Sequence, residues 1–144
     1  MGYDLPTAIG AQLARPGEQV VCFVGDGSVQ INIQELQTAV VYDTPIKIFV
    51  LDNRRLAVVS QFQLLNWDSD PTTGNKINPD FAAIARAYGI QAYTIEKPAD
   101  VEAVAAEALA HEGPALVHCL VDYSEDVSPM LLPGQTMDKM WPYA

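Results

Sequence analysis

Apolar residues come in four short runs, at 19–24, 46–51, 91–95 and 115–121, and each is bounded by polar, glycine or proline positions. Runs of this length and β-branched content predict buried strands. Between them lie stretches in which apolar positions recur at helical spacing. Residues 5–15 predict a helix with Pro6 in its first turn and Pro16-Gly17 as its stop. Asn32 and Glu35, three apart, predict a capped helix whose apolar face is Ile33, Leu36, Val40 and Val41. Residues 54–65 are expected to be helical in part, and 78–87 to form a helix closed near Gly89. Pro98 opens a further helix through Ala110, with Val101, Val104 and Leu109 turned inward.

Strands alternating with helices predict an α/β domain, a three-layer doubly wound and mainly parallel sheet with helices on both faces. The 144 residues suit a single domain, 1–144, in which 122–144 forms a C-terminal docking tail. The polar stretch 66–79, with Gly74 and two prolines, predicts a long loop.

A net charge of −10 and few basic residues speak against nucleic acid as a partner. No apolar run approaches the roughly 20 residues of a membrane span. No signal-like segment opens the sequence, and Cys22 and Cys119 fall inside buried strands, so the expectation is a reduced, cytoplasmic protein. His111 and His118 have no nucleophile near them in sequence and are not expected to be catalytic.

The candidate chemistry sits where two of the strands end. The first runs into Gly25-Asp26-Gly27-Ser28, the second into Asp52-Asn53. If the strands are parallel neighbours, Asp26 and Asn53 meet at the carboxyl edge of the sheet, where open α/β sheets bind ligands. A carboxylate and an amide oxygen suit a hard cation such as magnesium, which leaves other positions to phosphate oxygens. Gly25 and Gly27 let backbone approach an anion, and the amides near Gly27 and Ser28 can face it. The alternative is an ordinary strand-turn-helix in which Asp26 caps a turn.

Asn53 follows Asp26 by 27 positions, and with Gly25-Asp26-Gly27-Ser28 this resembles the thiamine-diphosphate-binding motif. Residues 1–11, 32–36, 78–81 and 128–134 resemble the pyrophosphate-binding domain of acetolactate synthase large subunits. The resemblance implies thiamine diphosphate and Mg2+ as cofactors, and decarboxylation and carboligation of 2-keto acids in branched-chain amino acid biosynthesis. It implies Asp26, Asn53 and the carbonyl of Arg55 as metal ligands, and Gly25, Gly27 and Ser28 at the phosphates. Met1 matches an apolar residue that props thiamine in its bent form. Val58 and Phe62 match the substrate channel, with core packing the competing role for both.

Departures from the family pattern are Asp52 where a second Asn is usual, and Ala57, Val58, Phe62 and Val29 in place of Gly, Met, Trp and Phe. The glutamate that activates the cofactor has no match here. The resemblance therefore implies a partner, a pyrimidine-binding domain or subunit, within a homo-oligomer, and a chain inactive alone. Alternatives are one subunit of a split thiamine-diphosphate decarboxylase, or a non-catalytic self-associating module that buries Phe62, Trp67, Met130 and Leu132.

Overall fold

The computed structural model describes residues 1–67 and 77–142. Four strands, β1 (Val21–Gly25), β2 (Lys47–Asp52), β3 (Gln91–Ile95) and β4 (Ala115–Leu120), form one sheet in the order β1-β2-β4-β3. All neighbours are parallel. The two central strands, β2 and β4, are buried at nearly every position, as expected of a parallel sheet covered on both faces.

The helices are α1 (Asp4–Ala14), α2 (Asp26–Val29), α3 (Glu35–Val41), α4 (Ala57–Trp67), α5 (Phe81–Ala87) and α6 (Val101–Ala110). On one face, Leu5 and Ile9 of α1, Leu36 and Ala39 of α3, and Phe81 and Ala85 of α5 pack against Cys22, Val24, Ile48, Val50 and Leu116. On the other, Val104, Ala105, Ala108 and Leu109 of α6 cover Phe49, Ile95, Val117 and Cys119. The α6 helix packs over β3 and β4. Over β1 and the end of β2 that second face stays open: Val21, Phe23 and Leu51 are exposed, Phe23 at 65%.

Several local features differ from expectation. Asn32 does not cap α3; its amide donates to the Gly2 carbonyl, and the helix starts at Glu35 with no side-chain cap. A short helix, α2, begins at Asp26 directly after β1 and contains Gly27 and Ser28, and turns over 30–34 separate it from α3. Val41 is 65% exposed, because Leu36 and Ala39 set the buried stripe instead. Val101 is likewise exposed. Met130, expected on an open surface, is buried and pairs with Trp141 in an antiparallel bridge. Trp67 is exposed, whereas Phe62 is half-buried. The expected loop at 66–79 lies largely outside the described residues.

Asp80 caps α5 by accepting a hydrogen bond from the Ala83 amide at 3.0 Å. Gly89 ends that helix at φ +81°, a conformation only glycine adopts without strain. Both cysteines are free and buried. Among the described residues no helix is long and apolar enough to cross a membrane.

Candidate functional site

Register decides what meets at the carboxyl edge. Gly25 pairs with Leu51 across the parallel β1–β2 ladder, so Asp26 and Asp52 leave the sheet side by side and Asn53 follows at once. A cavity of about 310 Å³ opens there. Gly25, Asp26, Gly27 and Ser28 line one wall, and Asn53, Arg55 and Val58 line another. Met1 stands over the glycine turn and also lines the cavity. Phe62 is not among its lining residues.

The N-terminal residues are fixed from the turn. The Gly2 amide donates to Ser28 Oγ at 2.8 Å, and the Ser28 hydroxyl donates to Asp4 Oδ2 at 2.5 Å. Gly2 takes φ +73° and a Cβ there would lie 2.6 Å from Ile31 Cγ2, so only glycine brings Met1 in along this path. A Cβ on Gly27 would meet Leu56 at 2.3 Å and Met1 at 3.4 Å, which keeps the turn bare of side chain beneath the cavity.

The second wall is built from two consecutive turns. Asp52 Oδ1 accepts from the Arg54 amide at 3.0 Å, and Asn53 Oδ1 from the Arg55 amide at 3.3 Å. Arg54 adopts φ +59° to make this possible. The Arg55 side chain is buried against the segment after β4. Its guanidinium donates to the Glu125 carbonyl at 3.0 Å, pairs with Asp126 and lies over the Tyr123 ring. Gln61 of α4 exchanges two hydrogen bonds with Val127. The second wall and the C-terminal segment are therefore tied together.

Three polar residues beside the two carboxylates, Asn78, Asp80 and His118, escaped the sequence reading of the site. Asn78 Nδ2 donates to Asp26 Oδ2 at 2.5 Å and to Asp52 Oδ1 at 2.7 Å. His118 Nε2 meets Asp52 Oδ2 at 2.8 Å, and its Nδ1 lies 3.7 Å from Asp80. Only the strand order reveals this, since β4 inserts between β2 and β3 and carries His118 to Asp52.

The two carboxylates shift in opposite directions. Burial raises the pKa of Asp26 most, Asp52 beside it adds to the effect, and hydrogen bonds from Asn78 and Gly27 offset only part of it. Burial also works on Asp52, but hydrogen bonds from His118, Asn78 and the Arg54 amide outweigh it and hold that group below its ordinary value. Asp26 is thus a desolvated carboxylate whose charge a cation in the cavity would compensate, whereas the charge of Asp52 is already answered. A carboxylate, an amide oxygen and a backbone carbonyl are all hard oxygen donors, the set that suits magnesium. The residues present fit a cation-bridged diphosphate.

A second hollow of about 730 Å³ lies against the open sheet face, lined by Val21, Phe23, Phe49, Leu51 and the apolar side of α6. Its lining is mostly apolar, with Lys97, Asp122 and Glu125 as the charged residues.

A doubly wound parallel sheet with an acid-and-amide cavity at its carboxyl edge has the architecture of the open α/β domains, whose ligand sites lie at that edge. The chain belongs to the thiamine pyrophosphate enzymes: residues 1–119 match the family described as "Thiamine pyrophosphate enzyme, C-terminal TPP binding domain". It is similar to the acetolactate synthase isozyme 2 large subunit of Escherichia coli, 43% identical over 143 residues, 97% of this chain and 26% of that protein. It is 37% identical over 142 residues to the acetolactate synthase large subunit of Cyanidium caldarium, 97% of this chain and 24% of that protein. The mitochondrial acetolactate synthase catalytic subunit of Saccharomyces cerevisiae is 36% identical over 139 residues, 96% of this chain and 20% of that protein. The chain thus spans about a quarter of the length of these curated relatives.

Proposed function

We propose that this chain binds thiamine diphosphate through Mg2+ as the diphosphate-gripping part of an acetolactate-synthase-like enzyme acting on 2-keto acids. One observation carries the reading: parallel β1 and β2 end side by side and put Asp26 and Asn53 on one cavity with the bare Gly27 turn. Asp26, Asn53 and the carbonyl of Arg55 hold the cation. Gly25, Gly27 and Ser28 face the diphosphate, Met1 supports the thiamine, and Val58 and Phe62 border the substrate's approach.

When bound, the cofactor supplies an electron sink for loss of carboxylate from a 2-keto acid. The chain's own residues bind and orient it. No glutamate lines the cavity among the described residues, so the activating carboxylate comes from a pyrimidine-binding domain or subunit, and the chain alone has no carboligase turnover. Half a site is incompletely preorganised, so binding by the chain alone is weak.

Isothermal titration with thiamine diphosphate and Mg2+ tests this. Heat that requires both supports the reading. A folded sample giving neither heat nor a thermal shift overturns it. Mixing with a pyrimidine-domain fragment should then restore turnover of a 2-keto acid.

A second reading, a self-associating module, draws on Phe23, Val21 and Leu51 exposed beside the free edge of β1. Light scattering that finds only monomer at high concentration excludes it.

A further inference from the structure

Two carboxylates stand at the same sheet edge, Asp26 and Asp52, each only 3% exposed. Carboxylate chemistry alone would let a cation take either. Something has to assign one to the cavity and the other to the protein, and the candidate is the residue that touches both. We propose that Asn78 is a positioning residue for the cation: its amide bridges the two carboxylates and holds Asp26 in the orientation that faces the cavity. The proposal rests on the thiamine-diphosphate reading above and deepens it.

The geometry is specific. The two hydrogens of one amide nitrogen go to two different acceptors, Asp26 Oδ2 at 2.5 Å and Asp52 Oδ1 at 2.7 Å. Because both partners are acceptors, the nitrogen and not the oxygen of Asn78 must face them. Asp52 then has three polar contacts, since His118 Nε2 meets Oδ2 and the Arg54 amide shares Oδ1, so both lone pairs of Oδ1 are taken and one of Oδ2 is left. It does not line the cavity, whereas Asp26 does.

Asp26 is held at both oxygens but not filled. The Gly27 amide donates to Oδ1 at 2.8 Å and Asn78 to Oδ2. A carboxylate oxygen accepts at two lone pairs, so a further lone pair on Asp26 remains for a cation. Without Asn78 the carboxylate loses one of its two fixed contacts, and two buried like charges face each other with no donor between them. Asn78 lies one residue before Pro79 and two before the Asp80 cap of α5. It acts through Asp26 and does not line the cavity.

The test uses Mn2+ as a paramagnetic stand-in, titrated into the 144-residue chain with thiamine diphosphate and followed by electron paramagnetic resonance. Asn78→Ala should weaken Mn2+ binding about tenfold or more, the usual cost of losing a partner that orients a metal ligand. Urea unfolding without metal shows whether the variant is folded; if it is not, Asn78→Ser, which is shorter but polar, carries the same expectation. Asp52→Asn combined with Asn78→Ala should weaken binding by less than the product of the two single effects, because both act through one bridge.

A folded Asn78 variant that binds Mn2+ as the parent does, or effects that simply multiply, overturns the positioning role and leaves the cofactor reading intact. A parent chain that shows no Mn2+ binding overturns the cofactor reading, and this inference with it.

Discussion

The imidazole of His118 and the carboxylate of Asp52 meet at 2.8 Å across the end of the β2–β4 ladder, both nearly inaccessible to water. Phe81 of α5 stands edge-on to the same imidazole, ring centres 5.1 Å apart. The pair therefore joins the core beneath α5 to the polar row behind the cavity. His118→Leu keeps the bulk but strips Asp52 of one donor in a buried setting. Leaving a buried carboxylate short of one hydrogen bond is costly, so the loss should be about 2 kcal/mol in urea unfolding at pH 7. A loss below about 1 kcal/mol would mean that Asp52 finds another donor.

Asp26 separates binding from folding. Its carboxylate is desolvated and crowded by Asp52, so the fold gains little from its charge. Asp26→Ala is expected to leave the thermal transition within a few degrees of the parent and to abolish the Mg2+-dependent heat of thiamine diphosphate binding. Unchanged titration of the variant would show that the cation sits elsewhere.

Much of the fold was legible because strands and helices alternate and each strand is bounded by glycine, proline or charge. The β3 expectation, 91–95, coincides with the observed strand, and the other strand boundaries move by a residue or two. β1 and β2 are consecutive strands joined through α2 and α3, and their parallel pairing brings the two halves of the motif to one edge. What remained hidden depends on strand order. Nothing in 115–121 announces that β4 lies next to β2, so His118 has no visible partner in the sequence. Asn78 lies 52 residues from Asp26 and meets it only through the tertiary fold. Asn32 and Glu35 have the spacing of a capping box, but the Asn32 amide nitrogen is tied to the Gly2 carbonyl and its oxygen meets Gln34 Nε2 at 3.5 Å, with no helix N–H on it.

Phe23 reports on the open face of the sheet. It is 65% exposed, lies tilted against Phe49 with ring centres 5.3 Å apart, and sits on a strand whose outer edge pairs with no other strand among the described residues. An exposed apolar edge strand favours association. Phe23→Asp places a charge at its centre and should shift light scattering toward monomer while leaving Mg2+-dependent cofactor binding in place, since Phe23 does not line that cavity. Identical scattering from parent and variant would show that this face takes no part in association.

Alkaline pH reads the two thiols. Burial pushes Cys22 up to about 11, with the charge of Asp4 adding to it, and burial alone does the same to Cys119. In the unfolded chain both ionise near their ordinary value of 9.0. Below that value the thiols are protonated in both states and their contribution is intact. Between about 9 and 11 the unfolded chain releases protons that the folded chain keeps, so stability falls as pH rises, by about 2 kcal/mol per thiol at the upper end. The chain with Cys22→Ala and Cys119→Ala should lose correspondingly less over the same interval, which separates the thiols from tyrosine and lysine titration. At pH 8 a thiol reagent should label the folded parent slowly and the urea-unfolded chain at once. Rapid labelling of the folded chain would show that these strands open far more readily than their burial allows.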